Sequence, residues 1–183
     1  MKEKTHLGNR LLSVLLTFLM LLSLLPSAAL AADTQQIALM AVTQDGFLIK
    51  PEYVTYHSGD TVKDVLKKSG HTFSGIDNGY ITAVDGTTDN FSIHYDEDGY
   101  KLDQSADGLT AIWFTTNSDQ SHGANLQKLA ANMAIYNTAT NGLKDYKAAQ
   151  EAYDAAVKGF YAATDTKAKT LNDALFSAID KHA

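Results

Sequence analysis

Several segments between residues 35 and 115 show the patterns of apolar positions, alternating or continuous, that are typical of β-strands. Between Gln35 and Thr43 the odd-numbered and the even-numbered positions are both largely apolar, which predicts a strand inside a sheet rather than at its rim. Asp45-Gly46 is a typical hairpin turn, and Phe47–Tyr56 continues the alternation as a second strand. Pro51 lies within this second strand, so we expect a bulge or an edge position there.

The stretch Ser58–Gly70 has the pattern of a short amphipathic helix. Ser58 or Asp60 can accept the free amide protons of the first turn, and Gly70 can end the helix in a left-handed conformation. Three apolar residues share one face at the i, i+3, i+4 spacing: Val62, Val65 and Leu66. This helix is the one element near these strands that can cover a face of the predicted sheet.

Four further β-like segments follow the helix, separated by turn signals such as Asp85-Gly86 and Asp107-Gly108. They are Tyr80–Val84, Phe91–Tyr95, a short Tyr100–Leu102 and Leu109–Thr115. A hairpin, a helix and then more strands is the order of a β-grasp-like α+β domain with one helix.

Beyond residue 118 the composition becomes rich in alanine, and the apolar spacing changes to that of helices. Asn141-Gly142 is a stop signal, Asp145 can cap a second helix, and Thr164-Asp165 can cap a third. The pattern predicts a small three-helix bundle. The expected organisation is therefore a signal peptide at 1–31, a β-grasp-like domain at 32–118 and the bundle at 119–183.

The first 31 residues have the pattern of a secretory signal peptide. A basic start precedes the apolar run Leu11–Leu25, which is short for a membrane span of roughly 20 residues. Pro26 then breaks the run, and Ala29-Leu30-Ala31 is suited to cleavage after Ala31. We therefore expect a secreted protein, with association at the cell surface as a further possibility and no membrane segment after cleavage.

Charge and cysteine content narrow the function classes. After cleavage at Ala31 the chain would hold 12 lysines, no arginine and 20 acidic residues, a net charge of −8. Such a chain is poorly built to neutralise phosphates, so we expect no nucleic-acid partner. The absence of cysteine excludes thiol nucleophiles and Cys-ligated zinc.

No catalytic signature stands out, and the chain is predicted not to be an enzyme. The histidines His57, His71, His94, His122 and His182 lack the spacing of a zinc helix, so we expect them in turns or facing solvent. Asp96-Glu97-Asp98-Gly99 resembles part of a calcium loop, but the residues at the EF-hand ligand positions around it do not suit calcium. A hairpin turn accounts for the same four residues without a metal. No metal and no cofactor is expected.

Aromatic residues are the candidates for ligand binding. Strand alternation places some of them on the sheet face away from the predicted helix, where they would be exposed unless something covers them. Burial in the core or under the helical bundle is the interpretation we favour, and a sugar- or peptide-binding face is the alternative. The candidates are Tyr80, Tyr95, Tyr100 and Trp113.

Three short motifs resemble the transcobalamin C-terminal-like domain. They are Gly59-x-Thr61-Val62-x-Asp64-Val65-Leu66, Gly79-Tyr80-Ile81-Thr82-x-Val84-Asp85-Gly86 and Asp107-Gly108. The resemblance covers residues 35–117 and implies a β-grasp-like domain of largely unknown function, found in many secreted or surface proteins of Gram-positive bacteria. In cobalamin carriers the related domain closes over the cofactor.

The sequence thus predicts a secreted or cell-surface module that binds or spaces without catalysis. Its partner would be an extracellular ligand or surface protein, with glycan and protein both open as the ligand class. The alternative, implied by the resemblance, is a protein that captures a small molecule of the corrinoid type.

Overall fold

A computed structural model describes residues 34–95 and 101–182 of the chain. The predicted leader, the Asp96–Gly99 turn and Tyr100 lie outside the described residues. Within them the protein is a mixed α+β structure, as predicted from the sequence. The strands are β1 (Thr34–Thr43), β2 (Gly46–His57), β3 (Phe73–Ser74), β4 (Ala83–Val84), β5 (Thr87–Thr88), β6 (Ser92–His94) and β7 (Ala111–Thr115). The α-helices are α1 (Val62–Lys68), α2 (Ala124–Thr138), α3 (Lys147–Gly159) and α4 (Asp165–His182).

The main sheet has the strand order β2-β1-β7-β6. Its two central strands, β1 and β7, are parallel, with Ala38 opposite Ala111, whereas β6 pairs antiparallel with β7. The interior position predicted for β1 is confirmed, because residues of both parities are buried along it. The edge position predicted for the strand containing Pro51 is also confirmed, since β2 forms one rim.

The helix α1 covers one face of this sheet, and its predicted apolar residues Val62, Val65 and Leu66 are fully buried. Its N-cap is Thr61, not Ser58 or Asp60. Thr61 and Asp64 form a reciprocal capping box, which satisfies two amide donors at once. The predicted left-handed conformation of Gly70 after the helix is confirmed, at φ +83°.

A small antiparallel sheet, β3-β4-β5, packs beside α1. Of the strand predicted from Tyr80 to Val84, only Ala83–Val84 is present, because Tyr80, Ile81 and Thr82 form bends and irregular backbone after the 3₁₀ turn Ile76–Asn78. Lys101 and Leu102 are not in a strand, so the short strand predicted there is wrong for its two described residues.

The three long helices lie on the other face of the main sheet. Leu126, Leu129 and Met133 of α2 are buried against sheet residues that include Met40 and Trp113. The helix α4 runs parallel to α2, since Asn132 donates to Asn172 at 2.8 Å and Asn125 donates to Asp165 at 2.7 Å. The sheet is therefore covered on both faces, by α1 on one and by the long helices on the other.

Residues from Gln35 to the last helix belong to one compact unit. The domain boundary predicted at residue 118 stays a prediction; side chains from both sides of it share one apolar core. Among the described residues, every helix is too short or too polar to cross a membrane.

Candidate functional site

Tyr80 is a large aromatic side chain that the fold leaves exposed, with 60% of its surface accessible. It follows the 3₁₀ turn Ile76–Asn78, which is flanked by Gly75 and Gly79 at φ +85°. Asn78 donates to the carbonyl of Gly75 at 2.8 Å, which closes the turn. Tyr80 is thus presented by a tight, hydrogen-bonded loop rather than by a strand.

Only glycine fits at position 75 without a steric clash. A Cβ on this residue would lie 2.5 Å from the carbonyl oxygen of Tyr80 and 3.3 Å from Oγ1 of Thr82. Its positive φ also disfavours any side chain. Thr82 donates through its backbone N–H to the carbonyl of Ser74 at 2.9 Å. The backbone on both sides of Tyr80 is therefore packed closely enough to fix where the ring emerges.

The Tyr80 loop is tied to α1 by two ion pairs. Oδ1 of Asp77 lies 2.8 Å from Nζ of Lys67 and 3.1 Å from Nζ of Lys63. The hydrogen bond from Lys67, and then that from Lys63, holds the pKa of Asp77 below its usual value. These exposed pairs contribute little energy, but they direct the loop toward one flank of α1.

The Tyr80 loop and the segment Lys101–Gln104 form the two walls of a pocket. The second wall is held by the first turn of α1. The backbone N–H of Lys63 donates to the carbonyl of Leu102 at 2.8 Å, and that of Val62 donates to the carbonyl of Gln104 at 2.9 Å. These bonds satisfy amide donors that a helix start otherwise leaves open. The same short helix therefore positions both walls.

Tyr95 supports this second wall from inside the protein. Its hydroxyl donates to the carbonyl of Lys101 at 2.8 Å and accepts from the backbone N–H of the same residue at 2.6 Å. The side chain of Tyr95 is fully buried. It can therefore position Lys101 but cannot itself touch a ligand at the surface.

An apolar pocket of about 110 Å³ opens between the two walls. It is lined by Gly79, Tyr80, Ile81, Phe91, Ile93, Leu102 and Phe114. A wider depression of about 420 Å³ adjoins it, because Gly79 and Leu102 line both, and Lys101, Asp103 and Gln104 add polar groups there. We call the pocket and the depression together the Tyr80 groove.

The four aromatic candidates occupy different environments. Tyr80 borders the groove, Tyr95 is buried beneath its wall, and Tyr100 lies outside the described residues. Trp113 is fully buried under the long helices, where its Nε1–H donates to Oε1 of Gln120 at 3.0 Å. The structure does not bring Tyr80 and Trp113 together, since they belong to different faces of the sheet. Ligand binding by these residues stays a prediction.

The histidines are not all in turns or facing solvent, and His94 corrects that expectation. It lies in β6 with only 3% of its surface exposed, because strand alternation turns it toward the helices while Ile93 faces the groove. His71 is partly exposed and bridges two carboxylates, with Nδ1 2.7 Å from Asp85 and Nε2 3.2 Å from Glu52.

Within residues 34–95 and 101–182, no three acidic or histidine side chains are arranged to hold a metal ion. His71 illustrates why a cluster in space is insufficient, since its two nitrogens face different carboxylates on opposite sides of the ring. The cluster is suited to clamping β2 to the turn that contains Asp85. It offers no shared point toward which three ligands converge.

Sequence reasoning missed most of the groove. Of its lining residues, only Tyr80 was among the candidates for ligand binding. Ile81, Phe91 and Leu102 were predicted as strand residues, and no role was predicted for Asp103 or Gln104. The Asn78-Gly79 turn signal before Tyr80 could have indicated a loop residue. No protein-family model and no curated protein matches the chain.

Proposed function

We propose that this chain is a secreted or cell-surface, non-catalytic module that binds a peptide or protein segment in the Tyr80 groove. The observation that carries the proposal is an exposed tyrosine beside a small apolar pocket with a polar margin. Tyrosine is enriched at protein interfaces because its ring supplies apolar area and its hydroxyl stays hydrated. Secretion follows from the leader-like residues 1–31 and belongs to the same proposal.

The size of the apolar pocket, taken by itself, favours a single side chain as its occupant. Sites for drug-sized small molecules usually enclose roughly 300–1,000 Å³. The apolar pocket has about 110 Å³, and the adjoining depression of about 420 Å³ is lined by the polar side chains of Lys101, Asp103 and Gln104. One apolar side chain of a partner fits the apolar pocket, while the adjoining depression can receive the partner's backbone. Lys101, Asp103 and Gln104 offer both donors and acceptors to that backbone.

Rigid support is the second argument for binding. Both walls are held by backbone hydrogen bonds. The Tyr80 loop is closed by the bond from Asn78 to Gly75 and the bond from Thr82 to Ser74, and the carbonyls of Leu102 and Gln104 accept from the first turn of α1. A preformed surface loses little conformational entropy when a partner docks, so a modest area can still bind specifically. The groove needs no catalytic group to act in this way.

The finer fold description is part of the same proposal: a β-grasp-like sheet followed by a three-helix bundle, related to the transcobalamin C-terminal-like domains. Support comes from the parallel central pair of β1 and β7 and from α1, which follows the first hairpin and crosses one sheet face. For the helices, support comes from the parallel course of α2 and α4 with α3 between them along the chain.

Selection from a displayed library of random linear peptides tests the function. The probe library is applied to residues 32–183 of the wild type, of Tyr80→Ala and of Phe176→Ala. Phe176 is a matched control, because its ring is 55% exposed but lies on α4 outside the groove. We expect enriched peptides with an apolar anchor residue that bind wild type and Phe176→Ala but not Tyr80→Ala.

Peptides that bind Tyr80→Ala as well as the wild type would contradict the proposal. So would binding to a panel of soluble glycans with no enrichment of peptides. The alternative of corrinoid-type capture is tested in parallel by thermal shift with a corrinoid. Tight binding at a hundredfold excess over the dissociation constant would add roughly 2.7 kcal/mol to the free energy of unfolding. An unchanged melting temperature would contradict corrinoid-type capture.

A further inference from the structure

His94 occupies a site that is unusual for a histidine. Its side chain is 97% buried, and neither ring nitrogen has a hydrogen-bond partner among the described residues. Its ring stacks on that of Trp113, with centroids 5.4 Å apart and planes inclined by 15°. The ring of His122 lies on it at 4.9 Å. Buried polar atoms without a partner are rare in native proteins and call for an explanation.

The surroundings of His94 connect the sheet to the helices. Trp113, its cross-strand neighbour on β7, donates to Gln120 at 3.0 Å. Gln120 in turn donates through Nε2 to the carbonyl of Phe160, at the end of α3, at 2.6 Å. The Trp113 ring also meets Phe160 edge-on, at 5.9 Å. A change at His94 therefore acts on the contact between sheet and helices.

Protonation of His94 is strongly disfavoured while it remains in place. Burial first, and then the charge of His122, lowers its pKa to about 4. Among the described residues, the rings that contact it are the indole of Trp113 from β7, which does not titrate, and the imidazole of His122 from the segment before α2, whose charge would repel an imidazolium. The site thus admits only the neutral ring.

We propose that His94 is an acid-sensitive latch, whose protonation drives the ring out of its contact with Trp113 and His122 and releases the helices from the sheet. The inference is independent of the ligand proposed for the Tyr80 groove. It gives the protein a response to the acidity of its surroundings, without a metal or a cofactor.

The direction of the effect follows from proton linkage. An unfolded or released histidine takes up its proton near pH 6.5, whereas His94 in its folded site does so near pH 4. Between these values the released state binds more protons, so the latched state weakens as the pH falls. The equilibrium should shift by up to about tenfold for each pH unit in that window.

The test compares wild type with His94→Phe, which keeps an aromatic ring but cannot titrate, and with His57→Phe, which removes an exposed histidine. Urea midpoints are measured from pH 7.5 to pH 4.5 by fluorescence of Trp113, the single tryptophan of the chain. We expect the midpoint to fall with pH in wild type and in His57→Phe, and to be nearly flat in His94→Phe. The same acid dependence in His94→Phe as in wild type would overturn the latch.

A second measurement covers the case in which His94→Phe fails to fold. The imidazole of His94 in the intact wild-type chain is titrated by two-dimensional NMR. Protonation near or below pH 4.5, together with loss of the folded Trp113 signal, supports the latch. Protonation near pH 6.5 with the fold unchanged would contradict it.

Discussion

Gln120 joins the sheet to the helices through two buried hydrogen bonds, and its replacement by leucine tests that connection. Its side chain is 4% exposed. Oε1 accepts from the indole N–H of Trp113, and Nε2 donates to the carbonyl of Phe160. Leucine has a similar volume, so the substitution removes both bonds without opening a large cavity.

The expected loss follows mainly from the indole N–H of Trp113, which would stay buried without its partner at a cost of about 1–3 kcal/mol. The carbonyl of Phe160 would lose the bond from Gln120 but would keep the one from the backbone N–H of Ala163 at 3.1 Å. Greater burial of apolar surface by leucine offsets a part of the loss. We therefore expect Gln120→Leu to lower the free energy of unfolding by about 1–3 kcal/mol.

Urea unfolding should be followed by two signals, Trp113 fluorescence for the sheet and far-ultraviolet circular dichroism for the helices. The control is Gln150→Leu, an exposed residue of α3, with an expected change within about 0.5 kcal/mol. At pH 7.5, where His94 is neutral and in place, both signals of the wild type should change together, because the two layers share one core. A loss below about 0.5 kcal/mol for Gln120→Leu, or two separate wild-type transitions at this pH, would contradict the connection through Gln120.

Two further substitutions test the scaffold of the groove. Leu66→Ala, at a fully buried position of α1, should cost about 2–5 kcal/mol in urea unfolding; wild-type-like unfolding would contradict the packing of α1 on the sheet. Gly75→Ala should destabilise more than Gly59→Ala, because both residues have a positive φ but only at Gly75 does a Cβ meet the carbonyl of Tyr80. Equal melting temperatures for the two glycine variants would contradict that close approach.

The regular elements were the most predictable part of the structure. Apolar residues of both parities in β1 correctly indicated a central strand, and Pro51 correctly indicated an edge. The face of Val62, Val65 and Leu66 correctly located α1 on the sheet. These features follow from local periodicity, which a sequence displays directly.

The site was less predictable because it depends on contacts between distant segments. Tyr80 looked like a strand residue, but Gly75, five positions earlier, turns the chain before it. The backbone of Leu102 completes the start of α1 some forty residues away. Whether Trp113 is exposed depended on where the helices pack, which alternation along its own strand does not determine.

The lowered pKa of His94 was also not predictable from the sequence, because it too depends on contacts between distant segments. The residue was expected in a turn or facing solvent, whereas in β6 it lies on the face of the sheet that the long helices cover. Its low pKa arises from burial and from His122, 28 positions later in the chain. A sequence displays the residue type, whereas the perturbation is produced by tertiary packing.

Binding in the Tyr80 groove is tested most directly by the affinity of one selected peptide for three forms of the protein, measured by isothermal titration calorimetry. We expect binding at least about 30-fold weaker for Tyr80→Ala than for wild type, since a central tyrosine contributes about 2 kcal/mol or more. Phe176→Ala should bind within about threefold of wild type, a difference below roughly 0.7 kcal/mol. Equal affinity of Tyr80→Ala and wild type, or an equal loss in both variants, would contradict binding in the Tyr80 groove.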